Sequence, residues 1–312
     1  MNTEKNLVSI MIPTYNRPLM FEQALISALS QDYPHVEVLV ADNSTDDRTE
    51  KVMQKYRDNP RLKYRRNRTA KTKADNFACF EEWARGEYLQ WLMDDDILAT
   101  QKLSRMIKVF DEHPEVTLVT SKRGIVDKEL NLFGKYSAGM KIKGEYGILR
   151  GKEAGRALLV GCSNFIGEPS AVLFRRRDLK NHYWRAETRG FKVISDVVMW
   201  LELLEKGDLA VFEDSLSFFR VHEGQEGRQT DVIMLGFTEW EKIIGEYRRR
   251  NVFVHDDHEC LDALVNFHKF LCRYFLTPEK VAAVRIEMRR KYEAVAEKIE
   301  SMERTGKINL GE

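Results

Sequence analysis

Acidic side chains follow two apolar segments of the chain, at the points where strands are predicted to end. Asp42 follows the run 36–41, and the triplet Asp94–Asp96 follows the run 87–93. Four carboxylates gathered at one edge of a sheet repel one another, and a bound cation neutralises them. Oxygen ligands suit Mg²⁺ or Mn²⁺, which commonly bind through one or two carboxylates and substrate phosphates. The residues therefore predict a metal–diphosphate site, and the alternative is an acidic run that caps a solvated helix.

The first strand sets the edge at which these carboxylates would meet. The apolar run Val8–Ile12 is typical of a strand buried on both faces in a parallel sheet. We expect it to stop at Pro13, which has no N–H to donate. Thr14 and Tyr15 then lie just past its carboxyl end, where ligands bind in open α/β sheets. An amphipathic helix over 18–30 and the next strand complete a right-handed βαβ unit.

Strands and helices continue to alternate along the chain, which is typical of α/β proteins. Strands are predicted at 36–41, 62–65, 87–93, 116–120, 171–174, 209–212 and 217–221. Helices are predicted at 45–56, 73–85, around 103–110, and at 153–160 and 193–204. Residues 124–150 predict a hairpin or a flexible loop, and three helices are predicted after residue 227, at 233–250, 258–276 and 278–302. We expect a domain over 1–226, with a nucleotide half to about residue 122 and an acceptor half over 123–226, followed by a helical extension over 227–312.

Composition narrows the classes of protein to which the chain could belong. Its 312 residues carry 50 basic and 49 acidic side chains, a net charge of +1 that argues against a nucleic-acid partner. Hydrophobic residues make up 43%, enough for a core, yet no run approaches the ~20 residues of a membrane span. The start MNTEKN is not a signal peptide, and four cysteines without a CxxC pair predict thiols in a reducing compartment. We therefore expect a cytoplasmic protein, which could still contact the inner face of the membrane.

Several motifs occur in a fixed order over residues 7–120. They are IPTYNRP, SALSQDYPHVEVLVADNSTDD, Asn76 followed by ARGEYLQWLMDDD, and HPEV. With this order and spacing the sequence resembles the family 2 glycosyltransferases of the GT-A fold. GEPSAVLFRR, SDVVMWLELLEKG and FFRVH resemble the acceptor half of that family less specifically, and the helices after Gly227 resemble nothing we can name. The resemblance implies an α/β, Rossmann-like, mixed and mostly parallel central sheet flanked by helices.

The resemblance also implies roles for residues at the nucleotide. Contacts to the nucleotide are implied for Pro13, Thr14, Tyr15, Asn16, Asp42, Asn76 and Asp94. Asp42 would accept a hydrogen bond from the base, which suits uracil and hence a UDP-sugar donor. Mn²⁺ or Mg²⁺ would be held by Asp94, Asp95, Asp96 and His222. The commonest family motif is Asp-x-Asp-Asp, whose first position is Met93 here, so Asp95 and Asp96 both remain candidates for the direct ligand.

Asp196 stands where the family has its catalytic base. An inverting transfer needs a carboxylate that takes the acceptor's proton while the hydroxyl attacks the anomeric carbon. The family usually has a glutamate just before this aspartate, and Ser195 takes that place here. Glu168 and Trp200 are implied on the acceptor side. From the residues alone, Asp196 could instead cap its helix, and His222 could be a structural histidine.

Three charged segments each have two possible interpretations. Arg61–Lys73 contains seven basic residues and no acidic one, so it is either a solvated face or a source of Lys71 or Lys73 for the diphosphate. His255–Glu259 is either a helix start rich in capping acids or a metal cluster. The basic run Arg285–Lys291 could lie on anionic lipid, giving peripheral membrane contact, or form a homodimer face.

The residues and the resemblance lead to two classes of function. The first is an inverting, metal-dependent transfer of a sugar from a nucleotide-sugar to a hydroxyl of a glycan, lipid-linked or protein acceptor, in bacterial-type surface polysaccharide or glycoconjugate assembly. The second is a non-catalytic protein that binds a sugar nucleotide or glycan. The acidic triplet and Asp196 together favour the enzyme. A nucleotidyltransferase needs a glycine-rich phosphate loop near the N-terminus, and Thr14–Asn16 is not one.

Overall fold

The computed structural model describes residues 4–70, 72–136, 142–179, 189–223 and 230–256, with short segments and single positions between 225 and 305. The chain forms two compact units. The first comprises Met1–Gly151, Phe165–Gly190 and Ser195–Glu223, and the second comprises Lys152–Asn164, Phe191–Ile194 and Gly224–Glu312. The division of the sequence at residue 226 stays a prediction.

The strands of the first unit form one sheet. They are β1 Glu4–Thr14, β2 Val36–Asp42, β3 Leu62–Arg66, β4 Gly86–Trp91, β5 Ile97–Leu98, β6 Val116–Val126, β7 Leu132–Tyr136, β8 Tyr146–Leu149, β9 Leu173–Arg175 and β10 Asp208–Arg220. Within the longer described ranges, up to residue 256, the helices are α1 Pro18–Leu29, α2 Arg48–Gln54, α3 Lys73–Trp83, α4 Lys102–Glu112, α5 Gly151–Gly161, α6 Ser195–Leu204 and α7 Thr230–Arg250. Short 3₁₀ turns occupy Pro169–Ala171 and Arg176–Asp178.

The strand order is β3-β2-β1-β4-β9-β6-β10-β5, with β7 paired to β6 and β8 paired to β10. The first four strands in this order run parallel, as do β6 and β10, and β9 runs antiparallel between β4 and β6. Parallel neighbours need crossover connections, which α1, α2 and α3 provide between the first four strands. The prediction of a mixed, mostly parallel α/β sheet flanked by helices is confirmed.

The centre of the sheet is apolar, as the sequence predicts. Alternate residues of β1 and β2 lie in the core, and Val8, Ile10, Ile12, Val38 and Val40 have no exposed surface. They join side chains of α1 and α4 in one cluster of buried residues. Helix α3 begins with a capping box, in which the Thr72 hydroxyl accepts the Asp75 N–H and the Asp75 carboxylate accepts the Thr72 N–H.

The expectation that the first strand stops at Pro13 is wrong, because β1 continues to Thr14. The carbonyl of Met11 accepts the Leu92 N–H on the β4 side, so the next residue facing that side is Pro13. Pairing of β1 with β4 ends at Met11–Trp91, whereas pairing with β2 continues to Thr14–Asp42. The missing N–H of Pro13 therefore falls where the ladder needs no donor.

Two further predictions differ in detail from the structure. The strands predicted at 209–212 and 217–221 are one strand, β10, whose register against β6 shifts between Phe212 and Ser217. Such irregularities bend a strand, so the apolar pattern is interrupted although the strand continues. The segment 124–150 contains a hairpin, since β7 returns antiparallel to β6, and it also supplies β8. Residues 137–141 lie outside the described residues.

The second unit is described in part. The buried carboxylate of Glu239, on α7, accepts the backbone N–H groups of Lys192, Val193 and Ile194. Asp256 accepts the Glu259 N–H, which is the capping contact expected at a helix start. Most of the helices predicted at 258–276 and 278–302, together with the basic run Arg285–Lys291, lie outside the described residues. In the part of the chain that is described, no helix is long and apolar enough to cross a membrane.

Candidate active site

The carboxyl ends of β1, β2 and β4 lie side by side and carry the predicted site residues. Thr14 is in register with Asp42, and the Leu92 N–H extends the β1–β4 pairing by donating to Met11, 3.0 Å away. The acidic triplet follows two residues later. All the site residues described below belong to the first unit.

The loop after β1 is held by the loop after β2. Asn16 has φ +56°, in the left-handed region that asparagine tolerates better than most residues. Its N–H donates to the Ser44 hydroxyl at 2.8 Å, and its Oδ1 accepts the Thr45 N–H at 2.9 Å. The side chain of Asn16 thus fixes the loop itself, and with it the direction in which the chain enters α1.

The first two acids of the triplet meet a common cation. Arg17 Nη1 lies 3.1 Å from Asp94 Oδ1 and 2.9 Å from Asp95 Oδ2. The Tyr15 N–H donates to the other Asp94 oxygen at 3.2 Å, and His222 Nε2 lies 3.1 Å from Asp95 Oδ2. The structure therefore brings Tyr15, Asp94, Asp95 and His222 together and adds Arg17, a residue to which the sequence assigns no role.

Asp96 points into the protein instead. It is buried and accepts the Arg220 N–H at 3.2 Å. Burial, followed by the neighbouring Asp95 charge, raises the pKa of Asp96 well above its ordinary value, and a hydrogen bond with Ser170 opposes that shift. The buried Lys102 donates to the carbonyls of Ser170 and Ala171, at 3.0 and 2.7 Å. Asp96 is thus part of a buried polar network behind the site.

Asp94 and Asp95 have the donor chemistry of a divalent-metal site. Burial first, and the Asp95 charge second, raise the pKa of Asp94 to about 6, while Arg17 opposes the shift. Among the described residues, no group of three or more His, Cys, Asp or Glu side chains is arranged to hold a metal. Two carboxylates nevertheless suit an ion that takes its remaining ligands from a diphosphate and water. In this structure the Arg17 guanidinium supplies the positive charge that lies between the two carboxylates.

Asp42 lies beneath other side chains at the end of β2. It has no exposed surface, and its Oδ1 accepts the Ser44 N–H at 2.8 Å. Its Oδ2 accepts from the Tyr64 hydroxyl at 2.7 Å and from Arg66 Nη1 at 2.6 Å. A base that reached Asp42 would therefore share this carboxylate with Tyr64 and Arg66.

Asn76 is also buried and ties backbone segments together. Its amide donates to the Ala41 carbonyl at 2.9 Å, and its Oδ1 accepts from Asn67 at 3.2 Å. Part of the basic segment 61–73 is similarly engaged inside the protein, since Lys63 pairs with Glu37 and Arg66 pairs with Asp42. Lys71 lies outside the described residues.

Asp196 occupies the first turn of α6, in a half-buried position. One of its oxygens accepts the adjacent Val197 N–H at 2.8 Å. Burial raises the pKa of Asp196 to about 7; the charge of Glu168 acts in the same direction, and that of Lys73 opposes it. A carboxyl group with this pKa is suited to accept a proton near neutral pH.

The turn that carries Glu168 is built around buried groups. Arg123 Nη1 donates to Glu168 Oε2 at 2.5 Å. Gly167 has φ +112°, a backbone conformation that favours glycine, and a Cβ there would force the Arg123 guanidinium to shift. Trp200 is fully buried, and its indole N–H donates to the Gly167 carbonyl at 3.0 Å. Trp200 thus supports the Glu168 turn. The family resemblance implies that Trp200 contacts the acceptor, but the buried side chain is not exposed to one.

The sequence alone assigns no role to three arginines of this region. Arg17 lies within the IPTYNRP motif, where its position beside a strand end was a usable signal. Arg66 is one of seven basic residues in the segment 61–73, and the sequence does not show which of the seven pairs with Asp42. Arg123 lies in a strand and shows its importance only through a contact 45 residues away in sequence.

Comparisons with known proteins agree with this geometry. The family model described as glycosyl transferase family 2 matches residues 9–183, more than half of the chain. The chain belongs to glycosyl transferase family 2. This glycosyltransferase is 28% identical over 221 residues, covering 70% of this chain and 78% of the relative, to the Escherichia coli UDP-Glc:alpha-D-GlcNAc-diphosphoundecaprenol beta-1,3-glucosyltransferase WfaP. It is 25% identical to the Campylobacter jejuni GalNAc(5)-diNAcBac-PP-undecaprenol beta-1,3-glucosyltransferase, covering 76% and 74%.

Solved structures share the fold of this glycosyltransferase. Residues 1–349 of S. aureus TarS in complex with UDP-GlcNAc superpose with a TM-score of 0.53 at 17% identity, covering 96% of this chain and 92% of that one. The mannosyltransferase PcManGT from Pyrobaculum calidifontis, in complex with GDP-Man and Mn²⁺, gives 0.51 at 15% identity, covering 95% and 82%. These likenesses support the GT-A fold, which the sequence resemblance predicts.

Proposed function

We propose that this glycosyltransferase moves a sugar, with inversion at the anomeric carbon, from a UDP-sugar to a hydroxyl of a lipid-linked glycan. The observation that carries the proposal is the pair of acidic positions in one unit. Asp94 and Asp95 are drawn together around a positive charge, while Asp196 has a pKa raised to about 7. The first position suits a cation and a diphosphate, and the second suits a proton acceptor. The lipid-linked acceptor is proposed from the two curated relatives, whose names include it.

In this proposal the donor lies over the ends of β1, β2 and β4. Pro13, Thr14 and Tyr15 line the nucleoside pocket, with Asn16 holding their loop in place and Asn76 holding the end of β2. Asp42 would accept from the base once Tyr64 or Arg66 moves aside, because its carboxylate has no exposed surface. The hydrogen bond from the base would then replace the one that is given up.

Asp94 and Asp95 would hold Mn²⁺ or Mg²⁺, with His222 beside Asp95. We favour Asp95 over Asp96 as the second ligand, because Asp96 is buried and bonded to Arg220 and Ser170. When bound, the ion supplies positive charge for the departing diphosphate. The Tyr15 N–H holds Asp94 in place, so the loop after β1 and the acidic triplet are positioned together.

Asp196 would take the proton of the acceptor hydroxyl as that oxygen attacks the anomeric carbon. The bond from the acceptor oxygen to the anomeric carbon forms while the bond to the diphosphate oxygen breaks, so one displacement inverts the configuration. Glu168, held by Arg123, contributes negative charge near Asp196 and helps to keep its pKa high. Trp200 acts only through the Glu168 turn.

The test is transfer from UDP-glucose and UDP-GlcNAc to a synthetic polyprenyl-diphosphate sugar, with Mn²⁺ or with EDTA. We expect a metal-stimulated product whose new linkage has the opposite anomeric configuration to the donor, measured by NMR. Retention of configuration would overturn the single displacement. If the protein binds UDP-sugar but neither transfers nor hydrolyses it with any acceptor, a non-catalytic binding protein becomes the better conclusion.

A further inference from the structure

Arg17 is placed as a bridge between two acids that the proposed function assigns to a metal. Its Nη1 lies 3.1 Å from Asp94 and 2.9 Å from Asp95, so one nitrogen serves both carboxylates. The side chain of Arg17 is 30% exposed, whereas those of Asp94 and Asp95 are 8% and 13% exposed. The side chain of Arg17 is thus more exposed than the two carboxylates that it contacts.

The backbone around Arg17 aims it at this position. Arg17 is the residue preceding α1, and its side chain comes directly after the left-handed Asn16. Asn16 is fixed at both its N–H and its side chain to the Ser44–Thr45 segment. Tyr15, on the other side of Asn16, donates its N–H to Asp94. The loop therefore orients Arg17 and one of its partners together.

We propose that Arg17 is the built-in counter-cation of the Asp94–Asp95 pair, and that a divalent ion must displace it in order to bind. The inference rests on the proposed function, because it takes Asp94 and Asp95 as the metal-holding acids. Two carboxylates this close need positive charge between them. The guanidinium supplies that charge before the donor arrives, and the cost of breaking its contacts with Asp94 and Asp95 is subtracted from the affinity for the metal.

Arg17 is thus a positioning residue that sets how tightly the site holds its ion. It keeps the two acids close together and oriented, but it lowers the affinity for free metal. A diphosphate that arrives with the ion adds ligands of its own, so the complex of ion and nucleotide can displace Arg17 where the ion alone competes poorly. The expected consequence is that occupancy by metal depends on the nucleotide.

The experiment measures Mn²⁺ affinity on the full chain by electron paramagnetic resonance, with and without UDP. The variants are Arg17→Gln, which removes the charge, and Arg17→Lys, which keeps the charge but lacks the planar fork. Arg57→Gln is the matched control, because Arg57 pairs with Asp58 on an exposed surface away from the triplet. Charge-assisted hydrogen bonds are strong enough that we expect Arg17→Gln to bind Mn²⁺ about tenfold more tightly without UDP.

The Arg17→Lys variant and the melting temperatures separate failure of the Arg17 proposal from failure of the metal site itself. Arg17→Lys should fall between the wild type and Arg17→Gln, so it remains informative if the glutamine variant does not fold. In EDTA, Arg17→Gln should melt at a lower temperature than Arg57→Gln, and Mn²⁺ should restore more of the loss. Equal or weaker Mn²⁺ affinity in both Arg17 variants, with clear binding in the wild type, would overturn the displacement of Arg17 alone. If wild type and variants all fail to bind Mn²⁺ even with UDP, the metal site in the proposed function fails as well.

Discussion

The acidic triplet and Asp196 are both carboxylate sites of the first unit, but different side chains surround them. Asp94 and Asp95 share Arg17, and Asp95 also meets His222, so their negative charge is matched by basic groups in direct contact. Asp196 accepts the Val197 N–H at the start of its own helix. Burial, helped by the negative charge of Glu168, raises the pKa of Asp196 to about 7. Burial also raises the pKa of Asp94, to about 6, so the difference between the two sites lies in the shared guanidinium. Two carboxylates around one positive charge are suited to hold an ion, whereas a single carboxyl group with a pKa of about 7 is suited to accept a proton.

Asp196→Asn is the variant that tests this contrast most severely. The change keeps the size of the side chain and removes the proton acceptor, and loss of a general base typically lowers the rate by ~10²–10⁴. UDP affinity, measured by calorimetry, should stay near that of the wild type. Asp214→Asn, at an exposed position, is the control. Near wild-type transfer by Asp196→Asn would show that the base lies elsewhere, with Glu168 the next residue to test.

Asp95→Asn should produce the opposite pattern. It removes one of the two charges that a divalent ion would share, so Mn²⁺ and UDP binding should weaken by roughly tenfold or more, equivalent to about 1.4 kcal/mol. Because the ion also serves the reaction, transfer falls too, and excess Mn²⁺ should restore part of it. Asp58→Asn removes an exposed acid for comparison. Asp96→Asn should instead lower the melting temperature, since Asp96 lies in a buried network.

The pH dependence of transfer tests whether a carboxyl group with the raised pKa of Asp196 acts as the base. With a pKa of about 7, Asp196 must lose its proton to act, so the rate should rise about tenfold per pH unit below pH 7 and level off above it. A profile that is already flat at pH 5 would contradict this pKa.

The same raised pKa makes a prediction about folding stability. A folded-state pKa above the unfolded value means that the folded protein holds the proton more tightly, so stability falls as pH rises from about 4 towards 7. At pH 8 Asp196→Asn should therefore be more stable than the wild type, by about 1–3 kcal/mol, in urea unfolding. At pH 4 the difference should nearly vanish.

Trp200→Phe should have the mildest consequence for transfer. The change removes the indole N–H that donates to the Gly167 carbonyl in a buried place, which costs about 1–3 kcal/mol of stability. Transfer should fall modestly through the displaced Glu168 turn, and UDP affinity should not change. Trp83→Phe, on the half-buried end of α3, is the matched control. A loss of UDP affinity in Trp200→Phe would place Trp200 on the donor side.

Local features of the chain were sufficient to predict the sheet, most of the strand ends and the family. Apolar runs such as Val8–Ile12 and the acids that follow them are local features, and helix and strand periodicity records which faces are buried. Motifs of fixed spacing also indicate Asp94, Asp95, His222 and Asp196 as candidate site residues, and their roles stay predictions. The sequence predicts the end of β1 at Pro13, and the strand continues to Thr14, because whether an N–H is needed at Pro13 depends on the neighbouring strand.

The partner of each charge, by contrast, depends on the tertiary structure. Arg17 meets residues 77 and 78 positions away, and Arg123 meets Glu168 across 45 positions. Neither contact has a local signature, since a basic side chain in a motif looks the same whether it faces solvent or a carboxylate. The burial of Asp96 and Trp200 is likewise set by packing of distant segments. A residue's chemistry can be read from its type, but its pKa and its role depend on what the fold places beside it.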